Sequence, residues 1–141
     1  MVVAYWSMTG NTQAMAEAIG EGITGAGVDA VVKHVGDLNP ADFANEKTFA
    51  LGCPSMGDEV LEESEMEPFV AEVEKYASGK NIALFGSYGW GDGQWMRDWV
   101  ERMENAGAII VGGEGLIVNE TPDDDGLAKC KALGASLAAK A

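Results

Sequence analysis

Positive charge is what this 141-residue chain has least of: 9 Lys and Arg stand against 23 Asp and Glu, giving a formal net charge of −14. So negative a surface repels polyanions at long range, which excludes nucleic acid and anionic membrane faces and leaves small molecules or basic protein faces as partners. Cysteine is nearly absent. Cys53 and Cys130 lie 77 positions apart without metal-ligand spacing, so they read as two reduced thiols and neither a disulfide nor a zinc site is expected. The single histidine, His34, ends an apolar run with no nucleophile beside it and reads as a surface residue away from any site. Long apolar runs are missing too: stretches such as Ala108 to Val111 are far too short to span a bilayer, and the N-terminus shows neither a basic region nor a cleavage pattern. A cytoplasmic chain is expected. No repeat, low-complexity stretch or linker divides it, so a single domain over 1–141 is expected.

What is present concentrates in three short segments. In the first, the apolar run Val2 to Trp6 breaks into Ser7-Met8-Thr9-Gly10-Asn11-Thr12, immediately before the helical pattern Met15, Ala18, Ile19, Ile23. This is a strand, a hydroxyl-rich turn and a helix N-terminus, an arrangement whose backbone N–H groups point at an anion on the helix axis. Gly10 lets the backbone close in on it. The same segment could be a helix start capped by Ser and Thr with no ligand. No Lys or Arg precedes Lys33, so a bound phosphate would be held by dipoles and hydrogen bonds alone. The lack of a Gly-Lys-Ser/Thr ending excludes a Walker loop, and one glycine where three are needed excludes the dinucleotide fingerprint. A loop phosphatase would need a thiolate and an Arg, where this loop offers Ser7 and no cation. Binding is favoured over phosphoryl chemistry.

Apolar or β-branched runs recur at Val2 to Trp6, Asp29 to Val35, Thr48 to Gly52, Asn81 to Gly86 and Ala108 to Gly112, with Gly115 to Asn119 continuing the last. Helical patterns fall between them, at Asn11 to Ala26, Pro40 to Ala44, Glu67 to Ala77, Gly93 to Ala106 and Asp124 to Lys140. Five strands alternating with five helices predict an α/β fold: a three-layer, doubly wound, five-stranded parallel sheet in the order 2-1-3-4-5. In that order strands 1, 3 and 4 lie together at the centre, and the loops after them share the carboxyl edge where ligands bind. Those loops are Ser7 to Thr12, Cys53 to Glu63 and Ser87 to Gln94, the three most unusual stretches in the chain.

The third loop reads Gly86-Ser87-Tyr88-Gly89-Trp90-Gly91-Asp92-Gly93. A Trp flanked by glycines is presented outward, where its face can stack on a planar ring and contribute roughly 0.5 to 1.5 kcal/mol beyond burial; the alternative is a buried anchor. Trp95 and Trp99, four apart on the following helix, are expected in the core, and Trp6 at a strand end is left unassigned. In the second loop, Pro54-Ser55-Met56-Gly57-Asp58-Glu59-Val60, a thioether suits the other face of a flat, polarizable ring. Gly57 lets its peptide with Asp58 take either of two orientations, and Glu59 could accept a hydrogen bond from a ring N–H.

The motifs SMTGNT, CPSMGDEVLEE and GSYGWGDGQWM together resemble the flavodoxins, and the match runs over essentially the whole length. Without a long insertion in its last strand, the chain is similar to the short-chain group. The resemblance implies a flavodoxin-like fold, FMN as a non-covalent cofactor, and a low-potential one-electron carrier, not an enzyme, working through semiquinone and hydroquinone states. It implies that Ser7, Thr9, Asn11 and Thr12, with the backbone of Met8 and Gly10, bind the FMN phosphate. It implies that Met56 and Trp90 flank the isoalloxazine, that Gly57, Asp58 and Glu59 contact its polar edge, and that Ser87 and Gly89 contact ribityl or ring atoms. Pro54, Ser55, Tyr88 and Gly91 complete the implied cofactor-binding set. Met8 stands where small residues, often Gly, are common in the family, and a positive φ there would strain it.

The resemblance also implies redox partners, ferredoxin-type reductases and oxidoreductases among them, and a monomer that keeps its ring edge exposed. Asp58, Glu59, Glu62, Glu63, Glu65, Glu67, Glu72 and Glu74 all precede the first compensating Lys75. This run reads either as a solvated face or as an acidic docking face beside the flavin that steers basic partners. An FMN-dependent reductase would need a further pocket for NAD(P)H, for which the chain leaves little material. A receiver domain would need an Asp at the end of the third strand, where this chain has Cys53.

Overall fold

Alternation along the strands decides the layering, because successive side chains leave a strand on opposite faces. In the computed structural model, which describes residues 1–141, Ala4, Phe49, Leu51, Ile82 and Leu84 enter one core with Phe43, Phe69, Val70, Trp95 and Trp99. The residues between them, Val3, Tyr5, Ala50, Ala83 and Phe85, enter a second core with Met15, Ile19, Ile23, Cys130 and Leu137. The sheet is therefore buried on both faces, as its unbroken apolar runs require.

The strands are β1 Val2–Tyr5, β2 Val31–His34, β3 Thr48–Gly52, β4 Asn81–Tyr88, β5 Ile109–Ile110 and β6 Leu116–Asn119. All pairs are parallel, in the order β2-β1-β3-β4-β5, with β6 also paired to β4. This is the expected doubly wound order. The fifth position is shared: β5 pairs with Asn81 and Ile82, β6 with Phe85 to Tyr88, and Gly112 and Gly113 turn between them at φ of 85° and 81°. Helices α1 Asn11–Gly25 and α4 Asp124–Ala138 cover one face; α2 Met66–Val73 and α3 Gln94–Asn105 cover the other.

Two expected helices differ. The segment after Pro40 is a 3₁₀ helix, Pro40–Asn45, opened by Asn39 Oδ1 accepting the Ala41 amide at 3.1 Å. The segment expected to be helical to Ala77 leaves α geometry at Val73 and closes in a 3₁₀ turn, Glu74–Tyr76. Trp95 and Trp99 are core residues, each 2% exposed, and both cysteines are buried free thiols, as expected. Burial pushes the Cys53 thiol up to about 12, so it is not a thiolate at neutral pH. No helix is long and apolar enough to cross a membrane.

The α1–α4 contact depends on two glycines. A Cβ on Gly134 would fall on the Ile19 carbonyl oxygen, and one on Gly22 on the Lys131 carbonyl oxygen, so the two backbones touch at both crossings. Gly134→Ala forces the helices apart and is expected to cost about 1–3 kcal/mol, as overpacking does. Urea unfolding would measure it; an unchanged midpoint would mean that α4 is not seated against α1 as described.

Candidate functional site

The turn after β1 is held by its own hydroxyl: the Gly10 amide donates to Ser7 Oγ at 3.2 Å. Gly10 then takes φ 95° as the residue before α1, with open space where a Cβ would be. No side chain caps this helix and no acid lies in its first turn. The amides of Asn11, Thr12 and Gln13 find no partner in the protein, so the positive end of the dipole faces the edge unspent. Met8 is not among the residues with positive φ, so the methionine is unstrained there. Its side chain is 71% exposed beside the turn.

Thr12 turns the other way. It is 1% exposed, and its hydroxyl lies 2.9 Å from that of Ser87, itself 4% exposed, at the end of β4. The Ser87 carbonyl in turn accepts the Ser55 amide at 3.0 Å. One buried serine thus ties the first and second loops to the third.

The second loop is a tight hairpin. Met56 and Val60 exchange both backbone hydrogen bonds at 2.9 Å, and Gly57, Asp58 and Glu59 form the turn. Gly57 sits at φ 50° with nothing within reach of a Cβ, a position suited to glycine. Glu59 also has positive φ, 57°, and its carboxylate is not free. Oε1 accepts the Gln94 amide at 3.2 Å, at the N-terminus of α3, and occupies the space a Cβ on Gly91 would need. The left-handed turn is what directs Glu59 onto the third loop.

In the third loop Trp90 is 62% exposed, which decides between the two readings of it: it packs in no core and presents its ring outward. Tyr88 leans on Trp95, centroids 5.7 Å apart. Met8, Thr9, Asn11, Pro54, Ser55, Met56, Ser87, Tyr88, Gly89 and Glu120 line a cleft of about 230 Å³ at the carboxyl edge. Nine of these ten come from the three loops, and no cation is among them. A larger cavity, about 630 Å³, lies between α3 and β6 and touches the three loops only at Gly93.

Glu120 is the residue that sequence reasoning missed. It follows β6 with φ 56°, and its amide donates to the Tyr88 carbonyl at 2.8 Å. Beside it, Thr121 Oγ1 donates to Asn11 Oδ1 at 3.3 Å. The polar turn Asn119-Glu120-Thr121-Pro122 at a fifth strand end was the available signal.

The acidic run is not one surface. Glu62 is 6% exposed and accepts from the Ser64, Glu65 and Met66 amides and the Ser64 hydroxyl, at the start of α2. Burial pushes its pKa up, but these hydrogen bonds outweigh it and hold the carboxyl below its ordinary value. Glu65 accepts the Trp6 indole N–H at 3.2 Å, Glu67 and Glu74 hold Arg102, and Glu72 pairs with Lys75. Asp58 and Glu63 keep unpaired carboxylates. His34 is half-buried against Tyr5 and does not line the cleft, and its Nδ1 accepts the Gly36 amide at 3.1 Å.

A doubly wound sheet with an unpartnered helix N-terminus, an outward indole and a cleft-lining thioether at its carboxyl edge suits the binding of a flavin nucleotide. The sequence pattern of the family described as Flavodoxin matches residues 3–134. A flavodoxin of Clostridium beijerinckii is 53% identical over 88% of this chain and 89% of its own. One from Megasphaera elsdenii is 46% identical over 96% of both chains. The solution structure of the two-electron reduced Megasphaera elsdenii protein superposes with a TM-score of 0.89 over 100% of both. A flavodoxin structure from the domain Archaea, 32% identical, gives 0.88 over 99% of this chain and 96% of that one. The chain belongs to the flavodoxin family, the FMN-binding electron carriers, which transfer electrons and are not enzymes.

Glu62 gives a test independent of cofactor. A carboxyl with a depressed folded-state pKa contributes stability that is present above its unfolded value, 4.5, and is lost as pH falls through the folded one. Glu62→Gln should cost about 1–3 kcal/mol at neutral pH. The gap to the parent protein should narrow as the medium is acidified below 4.5. Denaturant unfolding at several pH values would show it; a gap constant with pH would contradict the assignment.

Proposed function

We propose that this chain acts as one domain, 1–141, holding FMN across its three carboxyl-edge loops as a low-potential one-electron carrier between redox enzymes. The observation that carries the reading is the N-terminus of α1: three unpartnered amides beside the Ser7 and Thr9 hydroxyls, opening on a cleft with no cation in its lining. That donor set fits a phosphate. Ser7, Thr9, Asn11 and the backbones of Met8 and Gly10 would hold it, with Thr12 fixing the turn through Ser87. Pro54, Ser55, Ser87, Tyr88 and Gly89 would border the ribityl chain and ring, and Met56 and Trp90 would cover the ring faces. Gly57, Asp58 and Glu59 would meet its polar edge, Gly91 leaving room for Glu59.

When bound, the isoalloxazine supplies the redox chemistry, taking up and releasing electrons singly. The protein's residues set the energies. Gly57 can present its carbonyl as a hydrogen-bond acceptor at the ring's N5 edge, because a left-handed glycine is free to reorient its peptide with Asp58. That favours the state one electron down. Asp58, Glu120 and the phosphate itself have no cation nearby and oppose further negative charge. One such charge about 10 Å away, at an effective dielectric near 20, contributes roughly 1.7 kcal/mol, or about 70 mV for one electron, before salt screening. Partners, ferredoxin-type reductases and oxidoreductases among them, dock in the cytoplasm through the acidic face beside the flavin, and the carrier works as a monomer.

Anaerobic reductive titration of the FMN-loaded protein should show two separate one-electron steps. Failure to take up FMN, or a single two-electron step, would overturn the reading. Gly57→Thr places a β-branched residue at positive φ and should bring the two potentials closer together; unchanged spacing would remove Gly57 from the account. Asp58→Asn and Glu120→Gln should each raise the second potential by some tens of millivolts, most at low ionic strength. A potential unmoved or lowered would count against electrostatic control.

A further inference from the structure

The floor of the cavity between α3 and β6 is an edge of the sheet that has been left open. β6 pairs with β4 alone, Phe85 opposite Leu116 through Tyr88 opposite Asn119, and the Glu120 amide donates to the Tyr88 carbonyl. In a parallel ladder alternate residues turn both backbone groups to the same side. Val118 and Glu120 therefore face β4, while Ile117 and Asn119 face away from it. Nothing in the protein bonds the outward amides and carbonyls of those two residues. Such edges are ordinarily guarded by lysine, proline or a bulge. Leu116–Asn119 has none of these, and its only guard is its length of four residues. The cavity runs beside this edge, with α3 on one side and Lys129 of α4 on the other, where a further strand would lie. Val100, Leu116 and Ile117 are half-buried and give it apolar surface, and Ile109 on the same edge of the sheet is 56% exposed. Its two cations are engaged already, Arg97 by Asp92 and Gln94, and Lys129 by Asp125 at 3.1 Å. Glu101, Glu104 and Glu114 pair with no cation, so the uncompensated charge of the groove is negative.

We propose that the outer edge of β6 binds an extended, basic segment of a partner protein as an added strand. Main-chain hydrogen bonds to Ile117 and Asn119 hold the segment, and apolar side chains at its alternate positions enter the groove against Val100 and Ile117. Lysines or arginines flanking them meet Glu101, Glu104 and Glu114. A second copy of this chain would bring the same three carboxylates and a net charge of −14 to the same place, so charge selects a basic partner over self-association. An edge of four residues offers few hydrogen bonds, which makes the contact weak and reversible. Because the cavity meets the three site loops only at Gly93, a partner can be anchored here while the carboxyl-edge rim stays open. The inference uses no contact to a cofactor and stands apart from the carrier reading.

The test uses FMN-loaded protein, ¹⁵N-labelled, titrated with the blocked peptide acetyl-Lys-Thr-Val-Thr-Val-Thr-Lys-amide, whose valines and lysines share one face of a strand. The Ile117 and Asn119 amide resonances should move downfield and saturate. Alternate peptide amides face β6, so N-methylating both valines or all three threonines should weaken binding about tenfold or more in one case and leave it in the other. The peptide with glutamates in place of its lysines should not bind. A Glu101→Gln, Glu104→Gln variant should bind about fivefold more weakly, as two exposed ion pairs imply. Ile117→Pro removes an outward amide and no bond to β4, and should abolish the response at Asn119. Binding that survives both methylations, equal binding of the glutamate peptide, undiminished binding in the carboxamide variant, or shifts at the site loops instead of at Ile117 and Asn119 would each overturn the proposal. So would movement of those two amides with protein concentration alone, which would assign the edge to a second copy.

Discussion

Ser87 is the joint of the site. Its hydroxyl pairs with Thr12, its amide approaches the same oxygen at 3.4 Å, and its carbonyl accepts the Ser55 amide. Two of its polar groups are thereby spent on the first loop and one on the second, in a place almost without solvent, where an unpaired group would cost about 1–3 kcal/mol. Three segments distant in sequence are thus held in one register at the end of β4. Two further ties reinforce it from the α3 side: Trp95 to the Cys53 carbonyl, and Glu59 to the Gln94 amide. The rest of the carboxyl edge can stay open and glycine-rich because these five contacts fix its base.

The glycines divide between two duties. Gly134 and Gly22 are needed because another backbone passes where a Cβ would be. Gly10 and Gly57 face empty space and are needed for their positive φ. The first pair stiffens the α1–α4 layer under the site; the second keeps the site's rim able to adapt. If the carrier meets its partners through this rim, as proposed, that division would confine local openings to loops with little buried apolar contact.

The strand order, both cores and the three loops were legible because period and composition report them directly. Strand faces alternate as Ala4 and Tyr5 do, and Trp95 and Trp99 fall at helical spacing with no glycine between them. The failures have a common cause, which is that burial of a charged residue cannot be read from a charge run. Glu62 sits among acids that are solvated, and only the fold shows that α2 begins where its carboxylate collects three amides. Glu59 was expected at the ring's polar edge, but its hold on α3 was not legible, since that depends on a left-handed turn at a non-glycine position. Glu120 was missed because β6 is displaced from β5 by a turn, which brings its end level with the site rather than short of it.

The cleft at the N-terminus of α1 has no cation in its lining, which suits a low-potential carrier if that terminus holds the cofactor's phosphate. A lysine there would tighten phosphate by direct charge pairing, and the same charge would stabilise every electron placed on the ring nearby. Backbone amides separate the two effects. Their dipoles act strongly within the first turn of α1 and fall off quickly beyond it, so in the proposed site they would grip the anion while leaving the ring's surroundings net negative. Thr12 and Ser87, whose buried hydroxyls pair at 2.9 Å, tie the start of α1 to β4 without adding charge. In the proposed site, cofactor affinity and reduction potential would then vary separately, the first through the turn at Gly10 and the second through carboxylates such as Asp58 and Glu120.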